Sequence, residues 1–276
     1  MTRALVFDSG VGGLSVLDAM CAAGCDWTID YVSDNAWLPY GEKADADLIA
    51  RVPALLAGVA AAWEPDVIVI ACNTASTIAL EATRARLPMP IVGVVPPIKP
   101  AAAATRTGAI AVLATPATIR RAYTHDLIAQ FASQHRVVRV GSTALVSLAE
   151  RKLRGEEVSV AEVAAALAPV FAGPDGADVD VVALSCTHFP LLLDELRAAA
   201  PREVTWLHSG PAVARRAAEV AHVRLGVARV RRAGLTAPAD FERLRDAFAH
   251  RGFDAFAAVR ATAPFDVDVW RERAPA

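Results

Sequence analysis

One stretch of this chain occurs twice. Asp66-Val-Ile-Val-Ile-Ala-Cys72-Asn-Thr and Asp180-Val-Val-Ala-Leu-Ser-Cys186-Thr-His match position by position in residue type. Each is an acidic residue, a short apolar run, a small residue, a cysteine and a polar pair, with a helical pattern next. An apolar run of this length, rich in β-branched residues, reads as a buried strand. The repeat therefore predicts two similar halves, each setting one thiol at the carboxyl end of a strand. Ligands of α/β folds bind outside those ends.

The rest of the chain fits an α/β protein with largely parallel sheets. Strands are predicted at Ala4–Phe7, Ile29–Ser33, Val67–Ala71, Ile91–Val95, Ala109–Leu113, Arg136–Val140 and Val179–Leu184. Helical patterns lie between them: one with Leu14, Leu17 and Cys21 on a stripe, one from about Ala46 to Trp63, and one that follows a turn at Cys72–Thr74 and runs through about Leu87. Pro53 should kink or restart the second of these. Pro96, Pro97 and Pro100 predict a linker or crossover that is neither helix nor central strand. After Gly210 the pattern reads as Ala- and Arg-rich helices, and the last stretch is the least legible.

The composition narrows the function. The 276 residues carry 54% hydrophobic and 21% charged residues with a formal net charge of −2. That balance gives no electrostatic reason to bind nucleic acid or an anionic membrane. Met1-Thr2-Arg3 runs straight into a short apolar stretch, so no targeting segment is expected, and Val67–Ala71 falls well short of a membrane span. Four cysteines are too few for a disulfide scaffold, which predicts free thiols in a reducing, cytoplasmic setting.

Thiols so placed suit proton transfer at carbon. Racemisation at an amino-acid α-carbon needs a base on one face and an acid on the other, and a cysteine with a reference pKa of ~8.5 can serve as either. Helix N–H groups would stabilise a thiolate and, with the Thr74 and Thr187 hydroxyls, hold a carboxylate. A buried cysteine alone is usually a small hydrophobe. The repeated motif with Asn73, Thr74, Thr187 and His188 favours chemistry instead. Zinc is disfavoured, because neither motif has a second cysteine at ligand spacing. Cys21 and Cys25 lack a His pair and read as packing.

Other candidates keep two readings. Asp8 is either an N-cap or a carboxylate that orients a thiol or a substrate ammonium. His188 is either an acid–base partner or structural. Gly10, Gly12 and Gly13 resemble a phosphate turn, but Ser15 stands where G-x-G-x-x-G needs its third glycine. Glu150, just before Arg151-Lys152, reads as part of a solvated helix face, and the remaining histidines as surface or structural.

Five segments in order, Phe7–Leu14, Pro39–Glu42, Ala71–Ser76, Val92–Pro96 with Lys99-Pro100, and Cys186–Pro190, closely resemble the glutamate racemase family. The resemblance implies two pseudo-symmetric α/β domains, 1–96 plus 210–276 and 97–209, with the active site in the cleft between them. It implies Cys72 and Cys186 as catalytic thiols assisted by Asp8 and His188, with Cys72 serving D-glutamate and Cys186 serving L-glutamate. Substrate contacts would fall at Asp8, Ser9, Tyr40, Gly41, Asn73, Thr74, Thr187 and His188. It further implies no cofactor or metal, and a role in making D-glutamate for peptidoglycan and so for cell-wall biogenesis and cell shape.

Some positions depart from the family pattern: His208 where Asp is common, Ser185 and Ser33 where glycine is common, and Ala114–Ile119 without the usual glycines. They leave rate and strict glutamate preference open. With Met1 almost at the first predicted strand, the extension of members that depend on a cell-wall precursor activator is expected to be absent. A racemase of aspartate or another small acidic amino acid is the nearest enzymatic rival. A one-cysteine decarboxylase is excluded by the second thiol motif. Some family members inhibit DNA gyrase, but no basic tail points to that role here. A homodimer stays open.

Overall fold

A computed structural model describes residues 1–261 and 267–272. Its strands are β1 (Thr2–Asp8), β2 (Trp27–Ser33), β3 (Val67–Ile70), β4 (Ile91–Gly93), β5 (Ala109–Ala114), β6 (Arg136–Gly141), β7 (Val181–Leu184), β8 (Thr205–His208), β9 (Arg229–Leu235), β10 (Ala255–Ala261) and β11 (Val267–Glu272). They form a seven-stranded sheet in the order β11-β10-β9-β2-β1-β3-β4 and a four-stranded sheet in the order β6-β5-β7-β8. Among these strands every pairing is parallel except β10 with β11. Parallel strands need crossovers, and helices supply them, which is why strand and helix patterns alternate along the chain.

The chain separates into two compact units. The first comprises residues 1–94, 153–155 and the described residues from 210 onward; the second comprises 95–152 and 156–209. Residues 262–266 and 273–276, which the sequence reading gave to the first domain, lie outside the described residues.

In the first unit the helix Asp45–Trp63 packs Leu48, Val52, Leu55, Leu56 and Val59 onto Leu5, Phe7, Ile68 and Ile70 of the sheet. Among the described residues it is the one helix long and apolar enough to cross a membrane. Here that apolar surface is spent on the core. Contrary to expectation, Pro53 does not restart it. Pro53 is buried within a continuous helix, and packing of its flanks offsets the one lost backbone hydrogen bond. The helix after Cys72 does break, into Asn73–Ile78 and Leu80–Arg86.

The segment after Gly210 is not all helix. It forms the helices Gly210–Val220 and Phe241–Ala249 together with β9, β10 and β11. The Arg-rich stretch misled because its arginines serve a strand. Buried Asp30 on β2 accepts from Arg231 at 3.0 and 2.6 Å and from Arg232 at 3.2 Å. The Arg232 guanidinium also stacks 4.2 Å from the Trp63 ring centroid. Ion pairs and a cation–π contact thus let charged residues line a half-buried strand.

In the second unit alternate residues of β5 and β7 face opposite layers. Ala109, Ala111, Leu113, Val182 and Leu184 belong to one apolar cluster, while Ile110, Val112, Val181 and Ala183 belong to another. A sheet covered on both faces explains why these strands read as unbroken apolar runs. The proline-rich segment is a second correction, because Ile98–Ala104 is a helix containing Pro100. Pro100 is its third residue, where backbone N–H groups have no intrahelical partner to lose. The glycine-poor stretch 114–119 folds through a Thr115 cap onto the Thr118 N–H at 3.2 Å. The close approach falls instead on Gly141, where a Cβ would lie 2.8 Å from the Pro116 Cα.

Candidate active site

The first thiol sits where three parallel strands end. Phe7 pairs with Ile70 and Asp8 with Ser33, so the residues after β1, β2 and β3 emerge at one edge of the sheet. Backbone bonds from Ala71 to Phe7 (2.7 Å) and from Asp34 to Asp8 (2.9 Å) fix these exits. Cys72 is buried and extended, and caps the helix Asn73–Ile78: its Sγ accepts the Ala75 N–H at 3.5 Å. The Ser9 hydroxyl lies 3.4 Å from the same sulfur. Two donors at the positive end of a helix stabilise negative charge on sulfur.

Asp8 is fully buried, and its Oδ2 accepts the Gly13 N–H at 2.8 Å. The carboxylate thus braces the Gly-rich turn, while the helix itself begins with no side-chain cap. A Cβ on Gly13 would meet the Asp8 Cβ at 2.8 Å. That glycine exists for close packing against Asp8, which gives the glycine turn a purpose other than phosphate binding. Asn73 and Thr74 are buried beside Cys72. The Asn73 Nδ2 is buried and has no hydrogen-bond partner among the described residues, a donor without an acceptor.

Behind the Cys72 corner lies a polar cluster that sequence reasoning missed. Asp34 is fully buried and accepts from Arg51 at 2.6 and 2.7 Å, from the Tyr40 hydroxyl at 2.6 Å and from Thr236 at 2.8 Å. The Arg51 guanidinium also covers the Trp37 ring at 4.3 Å. Burial, then the Asp34 charge and hydrogen bond, hold the Tyr40 phenol well above its ordinary pKa, so it stays a donor. Tyr40 is therefore tied through its hydroxyl, and Gly41 follows it in a short 3₁₀ turn. Only the Tyr-Gly motif was legible, since Arg51 and Thr236 are remote in sequence. Ser33 buries a hydroxyl with no partner among the described residues.

The second thiol follows β7, between β5 and β8. Ser185 N–H donates to the Leu113 carbonyl at 2.8 Å, and Phe189 N–H to the Cys186 carbonyl at 3.2 Å, starting the 3₁₀ turn Phe189–Leu192. Cys186, Thr187 and His188 are all buried. His188 Nδ1 lies 3.8 Å from Cys186 Sγ, and its Nε2 lies 2.8 Å from Glu150 Oε1. Burial alone would lower the His188 pKa. The hydrogen bonds and charges of Cys186 and Glu150 outweigh it, leaving the value well above the ordinary one.

Glu150 is a correction. It is buried at 7% exposure, not part of a solvated face. It sits in the last turns of the helix Ala144–Leu153, whose Leu145, Leu148 and Ala149 are also buried. One signal was available, because Glu150 directly follows the apolar pair Leu148-Ala149. Its partner 38 residues away was not predictable from spacing.

The remaining thiols differ. Burial and then Asp18 raise the Cys21 thiol to about 11, and Cys25 donates to the Ala23 carbonyl at 3.6 Å. All four cysteines are free. Among the described residues no group of three His, Cys, Asp or Glu side chains converges as a metal site would require. His208 packs at the end of β8, and burial lowers its pKa.

Each α/β unit carries a buried cysteine just past a parallel strand, and similarity to glutamate racemases makes the chain an amino-acid racemase, an isomerase. The chain belongs to the Asp/Glu/hydantoin racemase family, whose model matches residues 15–217. It is 50% identical over 224 residues to the glutamate racemase of Sphingopyxis alaskensis, covering 81% of this chain and 82% of that one. The crystal structure of Escherichia coli glutamate racemase in complex with L-glutamate and the activator UDP-MurNAc-Ala superposes with a TM-score of 0.87. Identity there is 40%, over 94% of this chain and 98% of that one. An aspartate racemase from Picrophilus torridus shares the fold, with a TM-score of 0.52 at 16% identity over 82% of this chain and 96% of that one.

Proposed function

We propose that the chain is a glutamate racemase that interconverts L- and D-glutamate, with Cys72 and Cys186 as the two proton-transfer groups. One thiolate removes the α-proton from one face, and the other thiol delivers a proton to the opposite face. Turnover from L to D leaves Cys186 protonated and Cys72 ionised, and exchange with solvent restores the starting state. Each unit, taken as the domain 1–96 plus 210–276 or 97–209, furnishes one thiol. The observation that carries this reading is that each buried cysteine has its own proton-handling or charge-stabilising neighbours.

Asp8 and Ser9 assist Cys72, and His188 assists Cys186. Asn73, Thr74 and Thr187 hold the substrate's charged groups, and the unpaired Asn73 amide supports this. Tyr40 and Gly41 contribute backbone, since the Tyr40 hydroxyl is already given to Asp34. With a base supplied on one face and an acid on the other, the reaction calls for no cofactor or metal. The D-glutamate formed serves peptidoglycan synthesis. Four free thiols suit the reducing cytoplasm.

The test is a racemisation assay on L- and D-amino acids, after dialysis against chelator and without pyridoxal phosphate. Glutamate should lose its circular dichroism from either enantiomer and take up solvent deuterium at the α-carbon, with aspartate far slower. Activity that returns only with zinc or pyridoxal phosphate, or a preference for aspartate, would sink the reading.

A further inference from the structure

The helix Ala144–Leu153 is held against the segment that follows Cys186 by two polar side chains, of which only Glu150 reaches His188. The other is Lys152. Its Nζ donates to the Leu191 carbonyl at 3.0 Å and to the Glu195 carboxylate at 2.7–2.8 Å. Leu191 lies in the 3₁₀ turn Phe189–Leu192, and Glu195 lies in the first turn of the next helix, Leu193–Ala199. Two residues apart on a helix stand on roughly opposite flanks, at about 100° per residue. Glu150 and Lys152 therefore grip one element, residues 188–195, from two sides of the same helical turn.

We propose that Lys152 is a positioning residue of the Cys186 corner: its ammonium locks the helix end to the 3₁₀ turn so that Glu150 stays on His188 Nε2. The physical case is one of leverage. Leu145, Leu148 and Ala149 pack the helix into one apolar cluster with Cys186, Phe189 and Leu192, but apolar packing is non-directional. With the Glu150–His188 bond as the only directional contact, the helix end could still turn about it. A second anchor three to seven residues farther along the partner segment removes that rotation. Lys152 is partly buried, with side-chain exposure of 36% against 19% for Glu195, so the anchor is not a freely solvated surface pair. Lysine also suits the geometry, because one ammonium can donate to a carbonyl and a carboxylate together.

The proposal rests on the two-thiol reading, and its test keeps the two separable. The probe is a glutamate analogue with a leaving group on the β-carbon, whose elimination needs only α-proton abstraction by one thiolate. Lys152→Met should slow elimination from the L-form about tenfold, a fraction of the ~10²–10⁴ that general acid–base catalysis contributes. The D-form should change less than about twofold, and Lys152→Arg should restore most of the L-form rate. A second readout is the His188 imidazole titration followed by nitrogen NMR. Loss of the Lys152 charge alone would raise its midpoint, whereas loss of the Glu150 contact lowers it, and a lowered midpoint is expected. Equal slowing of both forms, no slowing, or a raised midpoint would overturn the role. Should Lys152→Met fail to fold, Lys152→Gln must give the same split. Cys186→Ser serves as the control: if it fails to act selectively on the L-form, the two-thiol reading falls and Lys152 falls with it. If Cys186→Ser is selective and Lys152→Met is not, only the positioning role is wrong.

Discussion

The Cys72 and Cys186 corners begin from the same local sequence and end with different electrostatics. At Cys72 the sulfur faces fixed neutral donors, the Ala75 N–H and the Ser9 hydroxyl. At Cys186 it faces an imidazole that Glu150 holds from the far side. The first device places neutral dipoles in direct contact with the sulfur. The second uses a group whose charge changes with pH, so the two corners should respond differently to both mutation and pH. The proposed reaction can run on such unlike halves, because each corner would have to favour thiolate and thiol only in turn.

The sharpest way to break this comparison is to remove a sulfur. Cys72→Ala or Cys186→Ala should lower racemisation by at least about 10³-fold in both directions, since every turnover needs one acid and one base. A variant that retains near wild-type rates in the standard racemisation assay would end the two-thiol reading.

Next in size is the support under the Cys72 corner. Arg51→Met leaves the Asp34 carboxylate buried without its main counter-charge, and breaking such a pair costs about 3–5 kcal/mol. Urea unfolding should report that loss. Amide exchange should speed in β1, β2 and β3 while β5 and β7 stay protected, because Asp34 and its partners all belong to the first unit. Uniform loss of protection would mean that the cluster does not act locally.

Glu150→Gln tests the titrating half. Elimination from the L-form of a β-substituted analogue should fall about 10- to 100-fold, within the range for acid–base groups, with the D-form little changed. The pH dependence has a definite sign. His188 is raised in the folded protein, so its stabilising contribution is complete below its unfolded pKa of about 6.5. That contribution disappears as pH climbs through the folded value. Glu150→Gln should move the loss to lower pH, seen as a shifted alkaline limb in the L-form profile.

The smallest effect expected is at Ser9. Ser9→Ala removes one hydroxyl from Cys72 Sγ, a net loss of about 1 kcal/mol or roughly fivefold. It should show in D-form elimination alone, with an unshifted pH profile. A changed alkaline limb would mean that the Ser9 hydroxyl also sets the titration of the Cys72 corner, and the contrast between the two would weaken.

How far the sequence reached can be judged residue by residue. Covalent neighbours were legible: strand, small residue, cysteine and polar pair lie within nine positions, so their placement follows from local backbone preferences. That determined the parallel α/β class, the two thiols, and Asn73, Thr74, Thr187 and His188 beside them. Pro53 and Pro100 misled because a proline's cost depends on what packs around it and on where a helix begins. Partners remote in sequence were decided only by the tertiary structure. Glu150 reaches His188, Lys152 reaches Leu191 and Glu195, and Thr236 and Arg51 reach Asp34. The arginines of β9 likewise became strand residues only once Asp30 and Trp63 were there to receive them. The physical reason is one of range. Backbone propensity and thiol chemistry act through a few bonds, whereas a buried charge is set by whichever groups the fold brings within about 3 Å of it.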